Sequence, residues 1–292
     1  MRGIKRSLGE RIFNVVNIIL VVMLVFICLF PFLNTLANSL SDDNAIAAGK
    51  VSVIPVGWQL DSYKYVLMNK NVMRSLGVTV TVTIIGTAIN MLLTFITAYP
   101  LSRRDLKGKG VIMNFIVITM LFNGGMIPNF LVVKSLGLLN TLWSIILPGA
   151  ISTFNLIVMK TFFEGLPFEI QESASIDGCN NIQILFKIVL PLALPSIATL
   201  TLFYAVAHWN NYFNPMLYIT EPKLFTLQIK MRQLLLEGNQ AELTEGLSSV
   251  ATVSQESLKG ATIIFSTLPI LICYPWLQKY FVKGVTVGAV KG

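Results

Sequence analysis

Charge is scarce in this chain. Of its 292 residues only 12% are Asp, Glu, Lys or Arg, while 54% are apolar. A soluble globular domain carries about 25% charged residues, and half that share cannot clothe a water-soluble fold of this size. The mean hydropathy of +0.70 agrees. The composition therefore describes an integral membrane protein. It excludes a disordered chain, a secreted disulfide scaffold and an ordinary cytosolic enzyme. Cysteine is rare as well: Cys28 and Cys273 lie in apolar runs and Cys179 in a loop, so they are expected to act as small buried hydrophobes. Histidine occurs once, at His208, with no second imidazole to complete a metal site. No G-x-x-x-x-G-K-[ST] phosphate loop is present, and Gly108-Lys109-Gly110 is too short a match. The chain has no route of that kind to ATP hydrolysis.

What charge there is lies at the margins. The net charge is +8, from 22 basic and 14 acidic residues. The basic residues flank apolar runs, which points to a membrane surface and not to nucleic acid. A helix crossing the hydrocarbon core needs roughly 20 apolar residues. Six segments qualify, at about 12–33, 76–101, 111–133, 142–163, 190–219 and 258–281. The expected fold is all-α: one polytopic membrane domain over 1–292, its first span retained. Arg2, Lys5, Arg6 and Arg11, then Arg103, Arg104, Lys107 and Lys109, then Lys160, Lys187, Lys279, Lys283 and Lys291 put 13 basic residues on one side against 9 on the other. That side is cytoplasmic, so both termini are expected inside. Residues 34–75, 134–141 and 220–257 then form the outer loops, and 227–237 within the last reads as a short helix.

The spans themselves hold no Asp, Glu, Lys or Arg over 12–33, 75–102, 111–133, 142–159, 190–220 and 260–278. Proton-coupled carriers keep a titratable group at mid-membrane, and only His208 is offered here. Sodium sites built from carbonyls are less strongly disfavoured. Uphill transport by this chain would draw its energy from another subunit. A membrane enzyme acting on lipid-linked sugars would need paired carboxylates or a metal cluster. Asp42 and Asp43 are the only adjacent acid pair, and an acid-rich turn explains them.

The cytoplasmic loop 164–191 is the informative one. Pro167 can start a helix with Glu169 and Glu172 in its early turns, where the dipole favours acids. Gly178 can stop it, and a second helical stretch, 181–189, leads to Leu190-Pro191. Glu172, Ser173, Ala174, Asp177, Gly178, Ile188, Leu190 and Pro191 stand at the spacing of the E-A-A coupling motif. The loop resembles that of permease subunits from binding-protein-dependent ABC importers, with Ser173 replacing the first alanine. Ala98-Tyr99-Pro100-Leu101-Ser102-Arg103, the Trp209–Pro215 stretch and the tail 283–292 resemble carbohydrate-importer permeases. The run 122–128 resembles the branch that handles complex oligosaccharides such as aldouronate or pectin fragments.

The resemblance implies a type I importer permease fold and partners: a second homologous permease, two ATPase subunits holding ATP and Mg, and an extracellular solute-binding protein. It implies that Glu172 pairs with a basic residue of the ATPase, and that loop 220–257 contacts the binding protein, an interfacial surface helix being the equal alternative. No cofactor is expected in the chain itself. For the substrate path the residues suited to sugar hydroxyls and ring faces are Tyr204, His208, Trp209, Asn210, Asn211 and Tyr212, with Asn123 and Asn155 as lesser candidates. Their alternative role is packing glue between helices; for Asn90 packing is the expectation. An acidic sugar would find no Lys or Arg within the spans, so its charge would need the partner or water.

Overall fold

The structure, a computed structural model, describes residues 8–122, 124–237 and 254–289. Arg2, Lys5, Arg6 and Lys291, the candidate Asn123, and residues 238–253 of the expected last outer loop lie outside the described residues. Among the described residues all regular structure is helical. In chain order the helices are α1 (Leu8–Ser39), α2 (Asp43–Ala47), α3 (Asp61–Met68), α4 (Lys70–Ser102), α5 (Lys109–Leu121), α6 (Met126–Ser135), α7 (Trp143–Ile146), α8 (Thr153–Glu164), α9 (Phe168–Ile176), α10 (Asn181–Leu192), α11 (Leu194–Trp209), α12 (Phe213–Tyr218), α13 (Leu227–Arg232) and α14 (Gln255–Ala289). Ile12–Ser39, Lys70–Ser102 and Gln255–Cys273 are long and apolar enough to cross a membrane, and the bent pairs α5–α6 and α10–α11 bring the number to five.

Two compact units form: Met1–Lys70 with Gln233–Leu268, and Asn71–Arg232 with Pro269–Gly292. In the first, α1 is apolar on all sides and bare of protein cover along its most hydrophobic stretch, as a lipid-facing helix should be. Cys28 is exposed there too, as is Cys273 on α14, so neither is the buried hydrophobe expected. The polar end of α1 is packed instead. A Cβ on Gly260 would stand 2.9 Å from the Thr35 carbonyl oxygen, so α14 approaches at a distance only glycine allows. The Ser39 hydroxyl donates to the Leu36 carbonyl at 2.7 Å, which makes the Tyr63 hydroxyl the donor in their 2.8 Å bond. Asp42 caps α2 by accepting the Asn44 N–H at 3.1 Å, which accounts for one member of the acid pair as local turn chemistry.

In the second unit the buried stripe of α4 runs Ser75, Thr79, Val82, Gly86, Asn90, Thr94, Ala98 and Leu101. These spacings of three and four keep one face inward, and its small and polar side chains allow close helix approach. The apolar segment 142–163, expected as one span, is two helices. Pro148 supplies no N–H, Gly149 favours the irregular backbone, and the Ser152 side chain caps α8. Segment 190–219 also divides. An 87° bend separates α10 from α11 at Ala193, between Pro191 and Pro195. A second break at 210–212 arises because Pro215 cannot donate a helical bond to the Asn211 carbonyl.

Asn140 holds the short loop after α6 to the end of α12. Its φ is +55°. Its Oδ1 accepts the Thr220 N–H at 2.6 Å and the Glu221 N–H at 3.1 Å, and its own N–H donates to the Tyr218 carbonyl at 2.9 Å. Asn140→Ala adds backbone strain to the loss of the side-chain bonds to Thr220 and Glu221 and is expected to cost about 1–3 kcal/mol. Asn140→Gly relieves the strain alone and should lose less. Thermal unfolding of the two variants in detergent checks the ranking, and equal wild-type midpoints would remove the clamp from the account.

Candidate functional site

Helix α9 carries most of the stretch that resembles the coupling motif. Gln171 and Ala174, each 7% exposed, face inward. Glu169, Glu172, Ser173 and Ile176 stand at i, i+3, i+4 and i+7 and are all exposed. Ile176 is 81% exposed, an apolar side chain left bare beside two acids on one helical face. The helix ends in a Schellman arrangement. Gly178, at φ +85°, donates its N–H to the Ser175 carbonyl at 3.1 Å, and Cys179 donates to the Ala174 carbonyl at 2.9 Å. Asn180 then opens α10 through a reciprocal capping box with Gln183 at 2.9 and 3.0 Å. Gly178 and Cys179 thus connect the two helices with both of their N–H groups bonded to the end of α9. Asp177 and Gly178 are exposed, Ile188 and Leu190 are half-buried, and Pro191 is exposed beside the bend.

Arg103 ties α9 to the end of α4. It donates to Gln171 Oε1 at 3.0 Å, and its guanidinium lies 5.6 Å from the Phe168 ring centroid. In the sequence Arg103 stands out only as a basic flank and part of a motif; a contact across 68 positions has no local signal. Glu164, at the end of α8, ties that helix to α5, accepting from Lys109 at 2.6 Å as well as from Lys160 at 2.8 Å. Desolvation pushes its carboxyl upward, but the hydrogen bonds and charges of the two lysines outweigh that and hold it below the ordinary carboxylate range.

Deeper in the same unit a polar seam closes the gap between α7 and α8. Asn90 donates its amide to the Gly149 carbonyl at 2.9 Å. Its Oδ1 therefore accepts from His208 at 3.1 Å, which places the imidazole hydrogen on Nε2. Thr94 donates to the Asn90 carbonyl at 2.6 Å, so the Tyr204 hydroxyl donates to Thr94 at 2.9 Å and accepts the Ser152 N–H at 3.1 Å. Asn90 and Thr94 on α4, and Tyr204 and His208 on α11, are i, i+4 pairs that meet the non-helical backbone at Gly149 and Ser152. Non-helical backbone at membrane depth is tolerated where protein satisfies it. Tyr204 and His208 are 3% and 9% exposed; the Tyr204 hydroxyl and His208 Nε2 are engaged within the protein. Asn155 is buried at the start of α8, its N–H donating to Ser152 Oγ at 3.4 Å.

The remaining candidates gather at the α11–α12 break. Trp209 is buried and helps line an apolar groove of about 210 Å³ with Val80, Ile84 and Pro269. Asn210 is exposed, and Asn211 and Tyr212 are half-buried. Helix α13 comes back against this break. Its first N–H, from Leu227, donates to Thr79 Oγ1 at 2.8 Å, and Gln228 Nε2 donates to the Trp209 carbonyl at 3.2 Å. Arg232 stacks its guanidinium over the Tyr212 ring, 4.9 Å from the centroid. Neither contact is visible in the sequence, where residues 227–232 read as part of an outer loop.

Residues 90–287 match the family described as the binding-protein-dependent transport system inner membrane component. The chain is 45% identical over 285 residues to the polygalacturonan/rhamnogalacturonan transport system permease protein YtcP of Bacillus subtilis, spanning 97% of this chain and 99% of that one. It is 44% identical to the LplC protein of the same organism, over 97% and 96% of the two chains. Its fold superposes on a chain of a bacterial ABC transporter involved in import of the acidic polysaccharide alginate, with a TM-score of 0.91, 34% identity, and coverage of 95% of this chain and 99% of that chain. The chain belongs to the binding-protein-dependent transport system inner membrane components, as a non-catalytic permease subunit seated in the cytoplasmic membrane.

Proposed function

We propose that this permease forms half of the translocation path for an oligosaccharide in an ATP-driven importer. The other half comes from a second, homologous permease. Two ATPase subunits, carrying ATP and Mg, dock on its cytoplasmic face, and an extracellular binding protein delivers the sugar. Both termini lie in the cytoplasm and six spans cross the membrane, the segment 142–163 crossing as the α7–α8 pair. The domain is single, with loop 164–191 inside and 34–75, 134–141 and 220–257 outside. Its substrate is an acid-bearing polysaccharide fragment, a reading supported by the likeness to permeases for polygalacturonan/rhamnogalacturonan and alginate.

One observation carries this reading: α9 presents Glu169, Glu172, Ser173 and Ile176 as a single exposed face, while Gln171 and Ala174 seat it on the membrane domain. An acid beside a bare apolar side chain is what a partner groove with a basic rim recognises. Closure of the ATPase pair moves α9; the Arg103 contact passes that movement to α4, and the short link back to Glu164 passes it to α8 and, through Lys109, to α5. Within the path we assign Asn210, Asn211 and Tyr212 to sugar contact, and Tyr204, His208 and Asn155 to the frame that holds it. Residue 123 keeps its place as a further candidate for the path.

Reconstitution decides between this and a self-sufficient carrier or a membrane enzyme acting on lipid-linked sugars. Proteoliposomes holding both permeases and the ATPase should take up labelled oligosaccharide only with ATP, Mg and the binding protein. Uptake by this chain alone, driven by an ion gradient, would contradict the proposal.

A further inference from the structure

No Lys or Arg lies within the spans, but α13 brings one to the edge of the α11–α12 region. Residues 227–232 fold back so that Gln228 and Arg232, one helical turn apart, both meet the α11–α12 break, at Trp209 and Tyr212. Arg232 is exposed, and among the described residues no carboxylate pairs with it. Stacking occupies only the face of its guanidinium; the in-plane N–H edge, the part that grips a carboxylate with two parallel bonds, stays available. The Tyr212 ring also fixes the long side chain, so less freedom is lost when a ligand binds. Asn211 spends its Oδ1 on the Asn214 N–H at 3.3 Å, so it meets a ligand with its amide donor. Asn210 is exposed beside it.

We propose that Arg232, held on Tyr212, reads the carboxylate of an acidic sugar residue as it passes, with Asn210 and Asn211 serving the neighbouring hydroxyls. Arg232 is then the specificity-determining residue of this subunit, and its ligand class is a uronate-containing oligosaccharide. The inference rests on the carbohydrate-importer reading above.

The test uses the complete importer in proteoliposomes with two labelled substrates of matching length. One is an oligogalacturonate with free carboxylates and the other its fully methyl-esterified, uncharged form. Wild type should favour the free acid. Arg232→Gln should raise KM for the acid about tenfold or more, leave the ester within about twofold, and leave complex assembly unchanged. Arg232→Lys should lie between, because an ammonium attracts the carboxylate but cannot grip it bidentately. Raising the salt concentration should weaken acid uptake in wild type more than in Arg232→Gln. Equal losses for acid and ester, or no loss for either, overturn the assignment. A wild type that imports the ester and not the acid overturns it too, while the importer reading stands. A wild type with ATPase activity stimulated by neither sugar-loaded binding protein brings down the carbohydrate reading and this inference together.

Discussion

Reversing one charge, Glu172→Lys, is expected to abolish uptake while leaving the permease folded. Glu172 is exposed on α9, and the helix is seated through other residues, Gln171, Ala174 and Phe168. Its replacement therefore removes nothing from the packing of the subunit. If the acid meets a basic residue of the ATPase, a lysine there turns an attraction into a repulsion of two charges. Breaking a close interfacial charge pair costs about 2–5 kcal/mol, and juxtaposing like charges adds to that. Affinity for the ATPase subunit should fall by at least about thirtyfold, with uptake falling in step. Glu172→Gln, which keeps shape and hydrogen bonding, should lose less. Ser173→Ala should be close to neutral, since Ser173 Oγ bonds only its own helix, at the Glu169 carbonyl. Co-purification of the ATPase with each variant measures docking, and uptake measures coupling. Wild-type uptake in Glu172→Lys would remove Glu172 from the interface.

The helix of loop 164–191 was legible because its geometry is local. Pro167, the acids after it, and Gly178 are start and stop signals written within a few residues of the helix they bound, and the helix forms where they put it. The apolar runs were legible for the same reason, since length and composition suffice. The breaks within them were harder. Pro148-Gly149 and Pro215 are visible in sequence, but a proline in a membrane helix can kink it or interrupt it. The outcome depends on whether another helix satisfies the freed backbone. Here Asn90, Thr94 and Tyr204 do so across 52 to 110 positions, and such contacts have no period to read. The same holds for Arg232: its charge marked an outer loop, and only the return of α13 onto Tyr212 brings it to the span. Tyr204 and His208 share a face with Asn211, as their spacing requires, yet that face is divided. Its inner part bonds to α4 and the α7–α8 break, and only its outer end is open.

Gly86 is where a single added carbon should cost most. It lies one turn before Asn90 on the buried stripe of α4, and a Cβ there would stand 2.5 Å from His208 Nε2, 2.7 Å from Cε1 and 3.0 Å from Cδ2. An imidazole ring is rigid, so it cannot bend aside as a methionine would. It must rotate or translate, and its bond to Asn90 is lost either way. Overpacking costs about 1–3 kcal/mol, and leaving the buried Asn90 oxygen unsatisfied adds about 1–3 kcal/mol. Gly86→Ala is thus expected to destabilise the assembled permease by about 2–6 kcal/mol, read as a lower unfolding midpoint in detergent and reduced uptake. His208→Ala alone should lose the bond but spare the Asn90–Gly149 contact, a smaller loss. In the double variant the space Gly86→Ala needs has been vacated, so the second substitution should cost less than about 1 kcal/mol. A coupling of more than about 1 kcal/mol between the two sites is the signature of direct contact. Additive losses would mean that α4 and α11 do not meet at this point, and the seam that supports the α7–α8 break would have to be redrawn.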